Sequence, residues 1–110
     1  MGSETVFSYL NRLYYGRKAG QMKSKILKAM KRNAFFPGLY IITFASNGVD
    51  QLDIIGAENL NRTYIRENLP PVAGFAVGRA EAFEVVRQMT EDAYRETGSC
   101  DLQTYLSMLH

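Results

Sequence analysis

The run Leu39-Tyr40-Ile41-Ile42-Thr43-Phe44-Ala45, followed at once by Ser46-Asn47-Gly48, constrains the fold more than any other stretch of the chain. Its β-branched and aromatic side chains are apolar on both faces, and Asn-Gly supplies the left-handed backbone angles of a tight hairpin. Residues 39–45 are therefore expected to be a strand that turns back along residues 51–56. In that return strand Leu52 and Ile54 oppose Asp53 and Ile55, the pattern of a strand with one side partly wet. After the breaker Leu69-Pro70-Pro71, residues 72–77 (Val-Ala-Gly-Phe-Ala-Val) are short and wholly apolar, as in a strand buried on both faces. Residues 57–68 fit either an extended edge segment or a short helix. The extended reading is preferred, because Leu60, Arg62, Tyr64 and Arg66 would line one side at period two.

Helical spacing dominates elsewhere. Across residues 3–15, Val6, Leu10 and Leu13 recur at i, i+4 and i+7, Phe7 and Tyr14 widen the stripe, and Gly16 stands where a helix would end. A connector with two glycines, residues 16–20, leads to a second helix over residues 21–33. There Met22, Ile26, Ala29 and Met30 share one face, and Lys25, Lys28, Lys31 and Arg32 fall on the other. Phe35-Phe36-Pro37-Gly38 stops it. Residues 79–97 place Ala82, Val86, Met89 and Ala93 inward, with Glu84, Arg87, Glu91 and Arg95 outward at ion-pair spacing and Gly98 as the C-terminal stop. Ser99 or Asp101 caps a last helix whose Leu102, Leu106 and Leu109 pack back onto the body. The expected architecture is one α+β domain over residues 1–110, a small three-stranded sheet (the β-hairpin plus one further strand) packed with two N-terminal and two C-terminal helices. With 110 residues, 46% of them hydrophobic, the chain can bury one core without disulfide or metal staples.

Several chemistries lack their residues. The single His110 is terminal, so no catalytic triad or imidazole base is expected, and the single Cys100 forms no intramolecular disulfide, zinc knuckle or CxxC pair. Asp50, Asp53 and Glu58 crowd the return strand without the spacing or turn glycine of a calcium loop, so they are taken as exposed carboxylates. No catalytic residue, metal ligand or cofactor is assigned, and no enzymatic activity is expected. No apolar run approaches the roughly 20 residues that cross a bilayer. Val6 stands where a myristoylation pattern needs Ser or Thr, and the Asn61-Arg62-Thr63 sequon has no export leader beside it. A reducing, cytoplasmic setting is the expectation.

The formal net charge of +2 conceals a division: residues 1–36 hold eight Lys or Arg against Glu4, a net +7, and residues 37–110 hold five against ten acids, a net −5. Such asymmetry points to a charged partner or to attraction between the halves, within the fold or across a two-fold axis. The leading expectation is a protein–protein interaction module that forms a homodimer or engages another protein. The alternative partner is nucleic acid, held by Lys25, Lys28, Lys31 and Arg32. Four phosphate contacts would make binding weaken on the order of a hundredfold between 50 and 200 mM salt. No helix-turn-helix, RNP aromatic motif or GXXG loop accompanies that basic face. A membrane-surface role would need Met22, Ile26 and Met30 to be free of the core. A weaker anion-binding candidate is the turn at Gly78 and Arg79, where a strand passes through glycine into a helix, although Gly78 is explained more simply by the need for a sharp turn.

Overall fold

The computed structural model describes residues 7–32, 34, 36–45 and 51–109. They run in the order β1 (Tyr9–Tyr15), α1 (Arg17–Gly20), α2 (Lys23–Arg32), β2 (Leu39–Phe44), β3 (Leu52–Gly56), a 3-10 turn (Ala57–Asn61), α3 (Thr63–Glu67), β4 (Val72–Val77), α4 (Arg79–Thr97) and α5 (Leu102–Ser107). The fold is α+β, with four strands rather than three, in the sheet order β1-β4-β2-β3. β2 pairs antiparallel with both β3 and β4, while β1 joins the outside of β4 in parallel. The hairpin ladder is regular from Tyr40↔Gly56 to Phe44↔Leu52. Its turn residues, together with Asp50, lie outside the described residues, as do Ser3, Val6, Asn33, Phe35 and His110.

The fourth strand is β1, where spacing predicts a helix. Its pairing with β4 passes from Tyr9↔Val72 to Tyr14↔Gly74, so five steps on one strand match two on the other. That irregularity breaks the strict alternation by which a strand is recognised. Tyr9 and Tyr15 end up on the α2 side of the sheet, Leu10 and Tyr14 on the α4 side. Backbone bonds from Val72 N–H to the Ser8 carbonyl (2.8 Å) and from Gly16 N–H to the Phe75 carbonyl (2.9 Å) tie both ends of β1 to β4. Tertiary pairing and the strand preference of three tyrosines outweigh a helical stripe only three residues long.

β4 carries a bulge of its own. Ile42 pairs with Gly74 but Thr43 pairs with Val72, leaving Ala73 as an extra residue. Val72 and Phe75 therefore share the α2 face, and Ala73 and Ala76 the α4 face. Both faces are covered, as the continuous apolar sequence of β4 requires. Below the sheet, Ile26 and Met30 of α2, 0% and 3% exposed, pack with Leu60 of the 3-10 turn against Leu39, Ile41 and Phe75. Above it, Ala82, Val85, Met89 and Ala93 of α4 and Leu102, Tyr105 and Leu106 of α5 rest on Ile42, Ala73 and Ala76. Of the expected inward residues of α4, Ala82, Met89 and Ala93 are buried, while Val85 is buried in place of the half-buried Val86. Asp101 is the cap of α5, its carboxylate accepting from Thr104 N–H at 3.2 Å.

Residues 57–68 are helical rather than extended. Asn59 Nδ2 donates to the Gly56 carbonyl (3.2 Å), Arg66 Nη1 to the Leu60 carbonyl (3.1 Å) and Asn68 Nδ2 to the Tyr64 carbonyl (2.8 Å). Side chains that satisfy nearby carbonyls favour short helical turns over a ladder. Of the residues at period two only Leu60 is buried, so the alternating pattern had no buried face to serve.

Candidate interaction surfaces

The sheet divides the charges as well as the core. α1 and α2, residues 17–32, carry seven cations and no acid, and all seven are exposed. α4, on the opposite face, carries five acids against three arginines. Its ion pairs close within the helix, from Arg87 to Glu84 (2.9 Å) and Glu91 and from Arg95 to Asp92 (2.7 Å). Lys25, Lys28 and Arg32 have no acidic partner among the described residues, and Lys31 is exposed on the adjoining flank. Lys23 places its ammonium 4.8 Å from the centre of the Tyr15 ring, a cation–π contact that holds it beside the end of β1. Since the two charged layers lie on opposite faces, a two-fold contact through either one would set like charge against like.

At the Gly78 corner the chain supplies its own anion. Gly78 turns β4 into α4 with φ +96°, a conformation that L side chains avoid. One turn later the Glu81 carboxylate accepts hydrogen bonds from the backbone N–H groups of Val77 (2.7 Å), Lys18 (2.8 Å) and Ala19 (3.2 Å). Burial works against its charge, but these three donors outweigh that and hold its pKa below the ordinary carboxylate value. The approach is close enough that a Cβ on Gly16 would collide with the Glu81 side chain. A groove of about 510 Å³ opens here, lined by Tyr15, Gly16, Lys18, Glu81, Glu84 and Arg87. Arg79 does not line it; its guanidinium sits 5.6 Å from the Phe83 ring centre.

A second polar cluster joins β1 to the upper helices. Tyr14 Oη donates to Asp92 Oδ2 at 2.6 Å and lies 3.1 Å from Tyr105 Oη; Asp92 also accepts from Gln88 (2.8 Å) and Arg95 (2.7 Å). Burial first, and then the bonds to Asp92 and Tyr105, push the Tyr14 pKa strongly upward. Asp92, also partly desolvated, is held below its usual value by Tyr14, Gln88 and Arg95. With a neutral phenol bonded to a carboxylate that also accepts from Gln88 and Arg95, these contacts clamp β1 to α4 and α5. Among the described residues no three His, Cys, Asp or Glu side chains gather as metal ligands would, and no helix is long and apolar enough to cross a membrane.

A partly covered apolar surface surrounds β3, the outer strand. On its α4 side Leu52 and Ile54 adjoin Tyr40 and Phe44 of β2, all half-buried, while α4 itself lies over β4, β2 and β1. The flank of α4 turned away from Tyr14 carries Phe83 and Tyr94, 54% and 62% exposed, with Val86 and Thr90 between them. Around the other side of the strand, Ile54, Ile55, Tyr64, Ile65, Leu69 and Pro70 line a groove of about 420 Å³. Sequence reasoning missed this edge because order within a sheet is set by strand pairing. The half-wet pattern of residues 51–56 was the one available signal. No family model matches the chain, and neither a curated protein nor a solved structure matches it.

Proposed function

We propose that the chain is a small non-enzymatic interaction module that associates with a second copy of itself through the free edge of β3. The observation that carries this reading is a bulge-free strand at the sheet edge with apolar side chains on both faces and Asp53 as its one charge. Natural sheets guard such edges with lysine, proline or bulges, and an unguarded one is a template for another strand. The strand is suited to its own twin. Antiparallel pairing about a two-fold axis at Ile54 sets Ile54 against Ile54 of the second copy, Leu52 against Gly56, and Asp53 against Ile55, so no like charges face each other. The apolar floor of Tyr40, Phe44, Leu52 and Ile54 then continues across the seam. Chromatography with light scattering at low and high salt tests the proposal: a dimer of twice 12.4 kDa is expected at both. A monomer at both salts and at high protein concentration would remove it.

A further inference from the structure

We infer that the outward surface of α1 and α2 binds the phosphate backbone of duplex nucleic acid without reading its sequence. Lys25, Lys28 and Arg32 stand at i, i+3 and i+7, on one outward strip of α2 that is about 10 Å long at 1.5 Å per residue. Arg17 and Lys18 of α1 are exposed as well, and residues 17–32 themselves contain no acid. Among the described residues Lys25, Lys28 and Arg32 have no acidic partner: Glu84, Glu91 and Asp92 of α4 pair with Arg87 and Arg95, and Glu81 reaches these two helices only at the α1 end, at Lys18 and Ala19. A row of exposed, unpaired cations is the surface that displaces condensed counterions from a phosphate backbone.

Two observations select the duplex among polyanions. A membrane surface would take up apolar side chains between the lysines. Here Ile26 and Met30 are sealed under the helix, and Leu27, 38% exposed, is the only large apolar side chain α2 presents. Single-strand binders add aromatic rings on which bases stack. Among the described residues the strongly exposed rings, Tyr64, Phe83 and Tyr94, belong to α3 and α4, and Tyr15 lies against Phe75 and under Lys23. What remains is charge presented by a rigid helix.

The test is a fluorescence-anisotropy titration of the full chain with labelled random-sequence duplex between 50 and 200 mM salt. Three phosphate contacts predict a log–log slope of about −2.7, a loss of about 40-fold in affinity over that range. The Lys25→Ala/Lys28→Ala variant should flatten the slope by about two. Lys25→Arg/Lys28→Arg should keep it, and Arg87→Ala, on the far face, should bind as the wild type does. Far-UV circular dichroism checks that each variant is folded. Any of four outcomes overturns the inference: no binding at 50 mM salt, a slope unchanged by the double alanine variant, tighter binding to the single strand, or binding to phosphatidylserine vesicles but not to duplex. The surface lies within one chain, so failure of self-association would leave it standing, and the converse also holds.

Discussion

Gly16 and Glu81 are in direct contact: a Cβ built on Gly16 would collide with Glu81 Cγ, so the carboxylate that bridges β4 to α1 is seated where only glycine allows. Gly16→Ala must push Glu81 out, and with it the bonds from Val77, Lys18 and Ala19. A loss of about 2 kcal/mol is expected by urea denaturation, since hydrogen bonds to a charged group each contribute ~1.5–3 kcal/mol and this site is partly solvated. Glu81→Ala should cost a similar amount, and adding Gly16→Ala to it little more, because the clash is then gone.

Stability should fall on the acid side. Glu81 and Asp92 have pKa values below their ordinary 4.5 and 3.8, the donors around each outweighing its burial. A carboxyl with a lowered folded pKa contributes stability that is complete above its unfolded pKa and is lost as pH falls through the folded one. The urea midpoint should therefore be flat near pH 7 and decline below about pH 4.5. Glu81→Gln/Asp92→Asn should be less stable at pH 7 and show a shallower decline; an equally steep decline in that variant would contradict the assignment.

Tyr14→Phe removes the hydroxyl that links Asp92 to Tyr105 while keeping the ring. A cost of about 1–2 kcal/mol is expected, and a double-mutant cycle with Asp92→Asn should show positive coupling of at least ~0.5 kcal/mol. Independent, additive effects would mean the bond contributes nothing.

Ile54→Lys places a charge on the free edge, where it meets its own counterpart if two copies pair. The variant should elute as a monomer under conditions where the wild type is a dimer, with far-UV circular dichroism showing that it remains folded. Dimer retained at wild-type affinity would exclude the β3 edge as the contact.

Ile26→Ala should destabilise the chain by about 2–5 kcal/mol, as expected for a fully buried large-to-small change. Lys28→Ala, two residues along the same helix but pointing into solvent, should stay within about 0.5 kcal/mol. Equal effects would contradict the burial of the apolar stripe of α2.

Helical periodicity carried α2, α4 and α5, while continuous apolar runs carried β2 and β4 and the Asn-Gly turn signal placed β3 beside β2. Periodicity also separated Ile26 and Met30 from the lysines, so the candidate basic surface was legible before any coordinates. It failed at β1, where bulged parallel pairing with β4 replaces alternation, and at residues 57–68, where side-chain bonds to local carbonyls decide. Tertiary structure alone decided that β3 lies at an edge, that Glu81 reaches a helix 62 residues away, and that the basic α2 and the acid-rich α4 pack on opposite faces of one sheet. Those are distances between segments remote in sequence, and a side chain's own neighbours along the chain hold no record of them.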